Sequence, residues 1–318
     1  MPVAANPIIL VAGGDQDPNL VCLLDTLAHA GIETLPLLCT VEQNAALTWD
    51  LSSDALKLDG EPIHPTAAFI RHDVFTSAMS DSATANYRAF AWYTAIAGWL
   101  AAHHEVHCLN RGALHTQLNK PQVLHAAREA GLNIPDTLVS NELTGAAITG
   151  LGPRLIAKPV TGGGYCQTLA SLGKITELRN GVAAAPAIIQ TELVPPEIRV
   201  YRIGEETIPF KVISDELDYR TSQQTRIEPW DEALPGNIIP GLENLMNRFG
   251  LDFGAADFKT DPETGELLFL EINTSPMFAA FDRVSDQAVT RALTQALTRK
   301  AGRTVLHDEN INSSYLST

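Results

Sequence analysis

The chain is short of the features that mark several large functional classes. Its 318 residues hold only four cysteines, Cys22, Cys39, Cys108 and Cys166, with no CxxC pair and no zinc-type spacing. That pattern excludes a disulfide framework and fits free thiols in a reducing cytoplasm. No run approaches 18 uninterrupted apolar residues, so no membrane-spanning helix is expected. Residues 1–14 carry no basic segment ahead of an apolar run, and no secretion signal is expected. Positive charge is scarce: 22 Lys and Arg against 37 Asp and Glu leave a net charge of −15. A nucleic-acid partner is not expected, because phosphate backbones are held by clustered Lys and Arg. The phosphate-loop pattern GxxxxGK[ST] is missing, and Gly13-Gly14 after the first apolar run lacks the GxGxxG spacing. The histidine run His103-His104-Glu105-Val106-His107 is not HExxH and has no evident third ligand, so it reads as a helix end. Neither a Ser-His-Asp nor a Cys-His constellation stands out, and there is no internal repeat.

What is present is enough apolar residue, 45% of the chain, for a substantial core, and enough length for two or three packed units. Residues 7–12 read as a buried strand, 19–30 as an amphipathic helix ended by Gly31, and 32–38 as a second strand, an opening in the doubly wound style. Short strands follow at 47–51, 55–58 and 67–71, with Asp59-Gly60 as a hairpin turn. Arg71-His72-Asp73 then falls where α/β loops bind ligands, although an ion-pair cluster is an equally good reading. Residues 82–102 form a long apolar helix whose stripe of Trp92, Tyr93, Ile96, Trp99 and Leu100 reads as core rather than a cofactor box. Further on, a short helix is expected from 141 to about 148, strands at 154–158, 166–171, 187–190 and 207–214, helices at 237–249 and 284–300, and a polar tail at 307–318.

The most informative stretch is Gly250–Pro276, two strands joined by the turn sequence Asp-Pro-Glu-Thr-Gly at 261–265. Asp257 and Glu271 are equidistant from Thr264, so in a hairpin without a bulge they face each other. Asn273 is two residues after Glu271 and shares its face. Opposed carboxylates on a sheet repel and need a cation or a shared proton. With an amide oxygen beside them and no Cys or His, the set is one of hard oxygen ligands suited to Mg²⁺.

Two lysines sit where anions are wanted. Lys120 follows the N-cap residue Asn119 at a helix start, where positive charge is unfavourable unless an anion approaches. Lys158 ends a strand just ahead of Gly162-Gly163-Gly164, a loop whose backbone N–H groups can approach phosphate. The Pro195-Pro196 pair reads as a stiff connector, and Glu197 and Arg199 put an acid and a base on one strand face.

In this order, the motifs Asn119-Lys120-Pro121, Ala157-Lys158-Pro159 with the glycine loop, Ile189–Leu193, Glu197-Ile-Arg199, Asp218-Tyr-Arg220-Thr-Ser222, Asp257 and Glu271-Ile-Asn273-Thr-Ser-Pro276 resemble the ATP-grasp ligases, the RimK-like branch most closely. The resemblance covers residues 119–282. The strand-rich region at 47–71 and the Asp-Tyr-Arg motif also look like the ligases that cross-link ribosomal peptides into graspetides. It implies an α/β (α+β) ATP-grasp fold with a Rossmann-like pre-ATP-grasp domain at 1–118, a small lid subdomain at 119–193 and a large subdomain with the metal site at 194–318.

The resemblance also implies an ATP-dependent carboxylate–amine ligase acting on an amino-acid or peptide carboxylate and an amine. Lys120, Lys158 and the glycine loop would contact the phosphates. Backbone atoms of Gln190, Thr191, Glu192 and Leu193 would hold the adenine, and Glu197 the ribose. Lys211 joins the nucleotide contacts, and Arg220 and Arg199 are the catalytic cations. Asp257, Glu271 and Asn273 would bind Mg²⁺, or Mn²⁺. The chain departs from the RimK-like pattern at Ser222, where an asparagine is frequent, and at Phe278–Phe281, which replaces a Gly-containing turn. A macrocyclising peptide ligase, a phosphotransferase that stops at phosphorylation, and a regulatory ATP-binding protein remain open alternatives, as does a homo-oligomer.

Overall fold

The computed structural model describes residues 7–40, 44–75, 82–115, 118–161, 165–171, 179, 181–214 and 225–299. The first unit contains β1 (Ile8–Gly14), α1 (Pro18–His29) and β2 (Glu33–Cys39). The short strands β3 (Leu47–Asp50), β4 (Ala55–Leu58) and β5 (Glu61–Pro62) come next, then β6 (Ala67–Ile70), α2 (Ser82–Ala102) and β7 (His107–Cys108). Four of these make a parallel sheet in the order β2-β1-β6-β7. A parallel sheet is covered on both faces, so its central strand reads as an unbroken apolar run. In β1, Ile9 and Val11 enter one core with Leu20, Leu23 and Leu27 of α1, while Leu10 and Ala12 enter another with Ile96, Trp99 and Leu100 of α2. Helix α1 starts where the Asp17 side chain accepts a hydrogen bond from the Asn19 N–H and Pro18 sets the first turn. The hairpin at Asp59-Gly60 has φ of 51° and 87°, the two positive values that a tight two-residue turn requires.

The second unit holds α3 (Lys120–Glu129), β8 (Thr137–Glu142), α4 (Ala146–Thr149), β9 (Leu155–Pro159), β10 (Gln167–Thr168) and β11 (Val182–Thr191). Its antiparallel sheet runs β10-β9-β11-β8. The third contains β12 (Val194–Ile203), β13 (Glu206–Ile213), β14 (Arg226–Pro229), α5 (Ile238–Arg248), β15 (Phe253–Thr260), β16 (Leu267–Asn273), α6 (Ala279–Asp282) and α7 (Ala288–Thr298). Its antiparallel sheet runs β14-β13-β12-β15-β16.

Several sequence expectations are corrected here. The strand at 137–142 occupies the start of the region read as a helix from 141, and only Ala146–Thr149 is helical, because Gly145 at φ +129° interrupts it. The strand expected at 166–171 is only Gln167–Thr168. The proline pair is not a connector: it lies within β12, where the ladder to β15 shifts register between Val194 and Glu197. The last helix begins at Ala288, after the separate turn α6. His103 stacks on Trp99 with ring centroids 4.5 Å apart, whereas the His107 ring contacts the Ala296 carbonyl at 3.1 Å, so the histidine run does not converge on a ligand. The tail at 307–318 lies outside the described residues.

Two packing relationships position the site. Val123, Leu124 and Ala127 of α3 pack with Leu242, Leu245 and Met246 of α5 and with Phe258 and Phe269. This packing anchors α3, with Lys120 in its first turn, against the third sheet. On the other face, Tyr201, Phe210, Phe253, Phe278 and Phe281 share one core with α1 and with Val289, Leu293 and Leu297 of α7. The first unit and the third sheet therefore have a common interior.

Candidate active site

A cleft of about 360 Å³ opens between the second and third sheets, within the range of small-molecule sites. From the side of the second sheet Ile156, Lys158, Cys166 and Leu193 line it. Glu197, Arg199, Asp257, Lys259, Glu271 and Asn273 rise from the opposite floor, and Lys120 enters from the start of α3. Ile227, Met277, Ala280 and Phe281 form an apolar end wall.

Strand register explains the floor. In the β12–β15 ladder Glu197 is opposite Lys259 and Arg199 opposite Asp257. In the β15–β16 ladder Asp257 is opposite Glu271, and Ala255 opposite Asn273. The facing of the two acids depends on a bulge, contrary to the bulge-free hairpin expected from sequence. From Thr260↔Leu267 to Phe258↔Phe269 the ladder is regular, and continued unchanged it would put Leu270 opposite Asp257. The register shift adds one residue, so Leu270 and Glu271 both line the cleft.

Each acid of the floor is matched by a base. The Arg199 guanidinium donates from Nε and Nη2 to the two oxygens of Asp257, both at 2.7 Å, in a buried pair. The same guanidinium carbon lies 5.5 Å from the Phe281 ring centroid. Lys120 Nζ is 3.1 Å from Glu271 Oε2, and Lys259 Nζ is 3.8 Å from Glu197 Oε2. Burial, followed by the charge of Asp257, pushes the Glu197 carboxyl up to about 7, against Lys259, Arg199 and Lys158. Burial likewise lowers the Lys158 ammonium below its ordinary value.

Not every expected residue reaches the cleft. Lys211 is opposite Ile198 in the β12–β13 ladder, and Ile198 belongs to the core behind the sheet. The face of Lys211 is therefore the one turned away from Glu197 and Arg199. Gln190 is opposite Ile156 in the second sheet but is fully buried; its amide nitrogen donates to the Thr137 hydroxyl at 2.9 Å. The Thr191 and Glu192 N–H groups are used by Asp136 and Arg154 carbonyls, and Leu193 alone of that segment lines the cleft. Gly162, Gly163, Gly164 and Arg220 lie outside the described residues.

Sequence reasoning missed Lys259, whose signal was its parity: two residues after Asp257 on one strand, it shares that face. It also missed the clasp behind the end wall. Arg71 donates to Asp17 at 2.7 Å and to the Pro276 carbonyl at 2.9 Å. The Asn19 side-chain oxygen accepts from the N–H groups of Phe278 and Ala279. The Arg71 cluster is thus a buried tie between the first unit and the turn after β16, not a ligand loop.

Two carboxylates and the Asn273 amide oxygen at one end of the cleft suit a hard divalent cation. Asn273 Oδ1 also accepts the Ser275 N–H at 2.9 Å, which orients the amide. Among the described residues no group of three or more His, Cys, Asp and Glu is placed to hold a metal, so any such site depends on this mixed set.

No family model and no curated protein matches the chain. Solved structures do. The chain is similar to the ATP-grasp ligase PsnB complexed with minimal precursor, Mg and ADP, at 23% identity and a TM-score of 0.70, over 91% of this chain and 96% of that one. It is also similar to the macrocyclase MdnC bound with precursor peptide MdnA from Microcystis aeruginosa, at 18% identity and a TM-score of 0.64, over 91% of this chain and 98% of that one. D-alanyl-alanine synthetase A from Vibrio cholerae matches at 15% identity and a TM-score of 0.60, over 94% and 99%. The chain has the ATP-grasp fold, with a four-stranded parallel sheet in its first unit.

Proposed function

We propose that this protein is an ATP-dependent ligase that joins a carboxylate to an amine, with a peptide as the substrate that carries the carboxylate. The observation that carries this reading is the cleft floor, where Glu197, Asp257, Glu271 and Asn273 face Lys120 and Lys158 on an ATP-grasp fold. Phosphoryl transfer asks for charge neutralisation and positioning rather than a protein nucleophile, and this cleft is furnished for that.

In this reading ATP lies between the two sheets. Lys158 and Lys120 donate to its phosphates, Glu197 accepts from the ribose, and Leu193 and Ile156 pack on the base. Asp257, Glu271 and Asn273 hold Mg²⁺, which screens the phosphate charge; Mn²⁺ fits the same oxygen set. Arg199 acts through Asp257, which it orients. The substrate carboxylate attacks the γ-phosphorus and ADP leaves, giving an acyl phosphate. An amine then attacks the acyl carbon, phosphate departs and the amine loses a proton, closing the amide.

A peptide substrate is favoured over a free amino acid by the apolar end wall of Ile227, Met277, Ala280 and Phe281, which offers no charge to an α-amino and α-carboxyl pair. The likeness to PsnB and MdnC, solved with precursor peptides, points the same way. The four free thiols fit a cytoplasmic setting, and no helix among the described residues is long and apolar enough to cross a membrane. The test is ADP release with Mg²⁺, ATP and a panel of acidic peptides and amino acids, followed by mass spectrometry. The expected product is a peptide that has lost one water per bond formed. ADP release only with free amino acids would move the reading to an amino-acid ligase. Phosphorylated product without amine incorporation would make it a phosphotransferase.

A further inference from the structure

The charge pairs on the cleft floor have a consequence for how the cleft fills. Glu271 Oε2 is 3.1 Å from Lys120 Nζ, and both Asp257 oxygens are held at 2.7 Å by Arg199. A divalent ion bound to these oxygens must share them with, or take them from, the resident cations. The two pairs differ in how readily they yield. Arg199 and Asp257 are buried and doubly bonded, whereas the Lys120 and Glu271 side chains are 30% and 37% exposed. Lys120 is also at the first turn of α3, where its charge opposes the helix dipole. An anion arriving in the cleft offers Lys120 a partner that relieves both conditions.

Resting on the ligase reading above, we infer that Lys120 is an exchange residue: it caps Glu271 against free divalent ions and releases it when phosphate takes the ammonium. Metal and triphosphate then enter as a unit. The cleft discriminates against bare cations, and Lys120 changes partner from carboxylate to phosphate during loading. Lys120 thus sets the order of binding in addition to contacting the nucleotide.

The test measures Mn²⁺ binding to the full chain by electron paramagnetic resonance, with and without a non-hydrolysable ATP analogue. Without nucleotide, K120Q binds Mn²⁺ more tightly than wild type, by roughly three- to tenfold, the scale of a partly exposed charge acting on a dication. With the analogue the order reverses, because the variant lacks the phosphate contact. A second measurement uses ATP in excess chelator. E271Q binds metal-free ATP more tightly than wild type, and K120Q/E271Q loses that gain. Unchanged or weaker nucleotide-free Mn²⁺ binding by K120Q overturns the exchange role, as does an E271Q gain that persists in the double variant. Failure of the underlying ligase reading looks different: E271Q would then take up Mn²⁺ with the analogue as well as wild type does.

Discussion

Arg199 and Asp257 are joined by two parallel hydrogen bonds of 2.7 Å across neighbouring strands, and both side chains are buried. Removing the guanidinium leaves an ionised carboxylate in a poor solvent. Arg199→Met is expected to lower stability by about 3–5 kcal/mol, the cost of breaking a buried pair from one side. Arg199→Lys recovers only part of it, since an ammonium cannot present two parallel donors. Denaturant unfolding monitored by circular dichroism checks both values.

The Glu271 side chain is 37% exposed at the cleft, so its role is separable from folding. Glu271→Ala is expected to retain the wild-type melting temperature and to lower Mg²⁺·ATP turnover at least about 100-fold, the usual scale for losing one element of electrostatic stabilisation. Turnover within threefold of wild type would remove Glu271 from the metal set.

Lys158 is the penultimate residue of β9, on the second-sheet side of the cleft, and has a burial-lowered pKa. Lys158→Ala is expected to weaken ATP binding tenfold to a hundredfold, in line with about 1.5–3 kcal/mol for a hydrogen bond to a charged group. Calorimetric titration with the non-hydrolysable analogue is the measurement.

Glu197 carries a pH signature. Its folded-state pKa is raised from 4.5 to about 7, so over that interval the folded protein keeps a proton that the unfolded chain has released. The stability this group contributes is complete below pH 4.5 and is lost as pH rises through 7. Glu197→Gln is expected to flatten that part of the pH–stability curve. Unfolding midpoints at pH 5 and pH 7.5, compared between variant and wild type, give the slope.

Local chemistry made much of this molecule readable in advance. The cap at Asn119, the Asp59-Gly60 turn and the apolar run of β1 each act over a few residues, and each element is where that chemistry puts it. The facing of Asp257 and Glu271 was expected from an equal count about Thr264. It arises instead from a turn centred half a residue earlier plus the inserted Leu270, and no propensity at Leu270 announces a bulge. Lys211 was misplaced although parity was available: Phe210 and Val212 enter the core on the cleft side, which leaves Lys211 on the reverse. The docking of α3 on the third sheet and the ties from Asn19 and Arg71 to residues 276–279 depend on partners more than 100 residues away, which local patterns do not record.

The shared interior of α1, α7 and the aromatic face of β12, β13 and β15 bears on how this chain can be cut or recombined. Excising residues 1–118 would strip the cover from Tyr201, Phe278 and Phe281 and leave a sticky, unfinished half. A chimera that borrows its front domain from another protein of this fold would have to bring a matching α7 with it. Helices α1 and α7 are a single module for protein engineering, although they lie far apart in sequence.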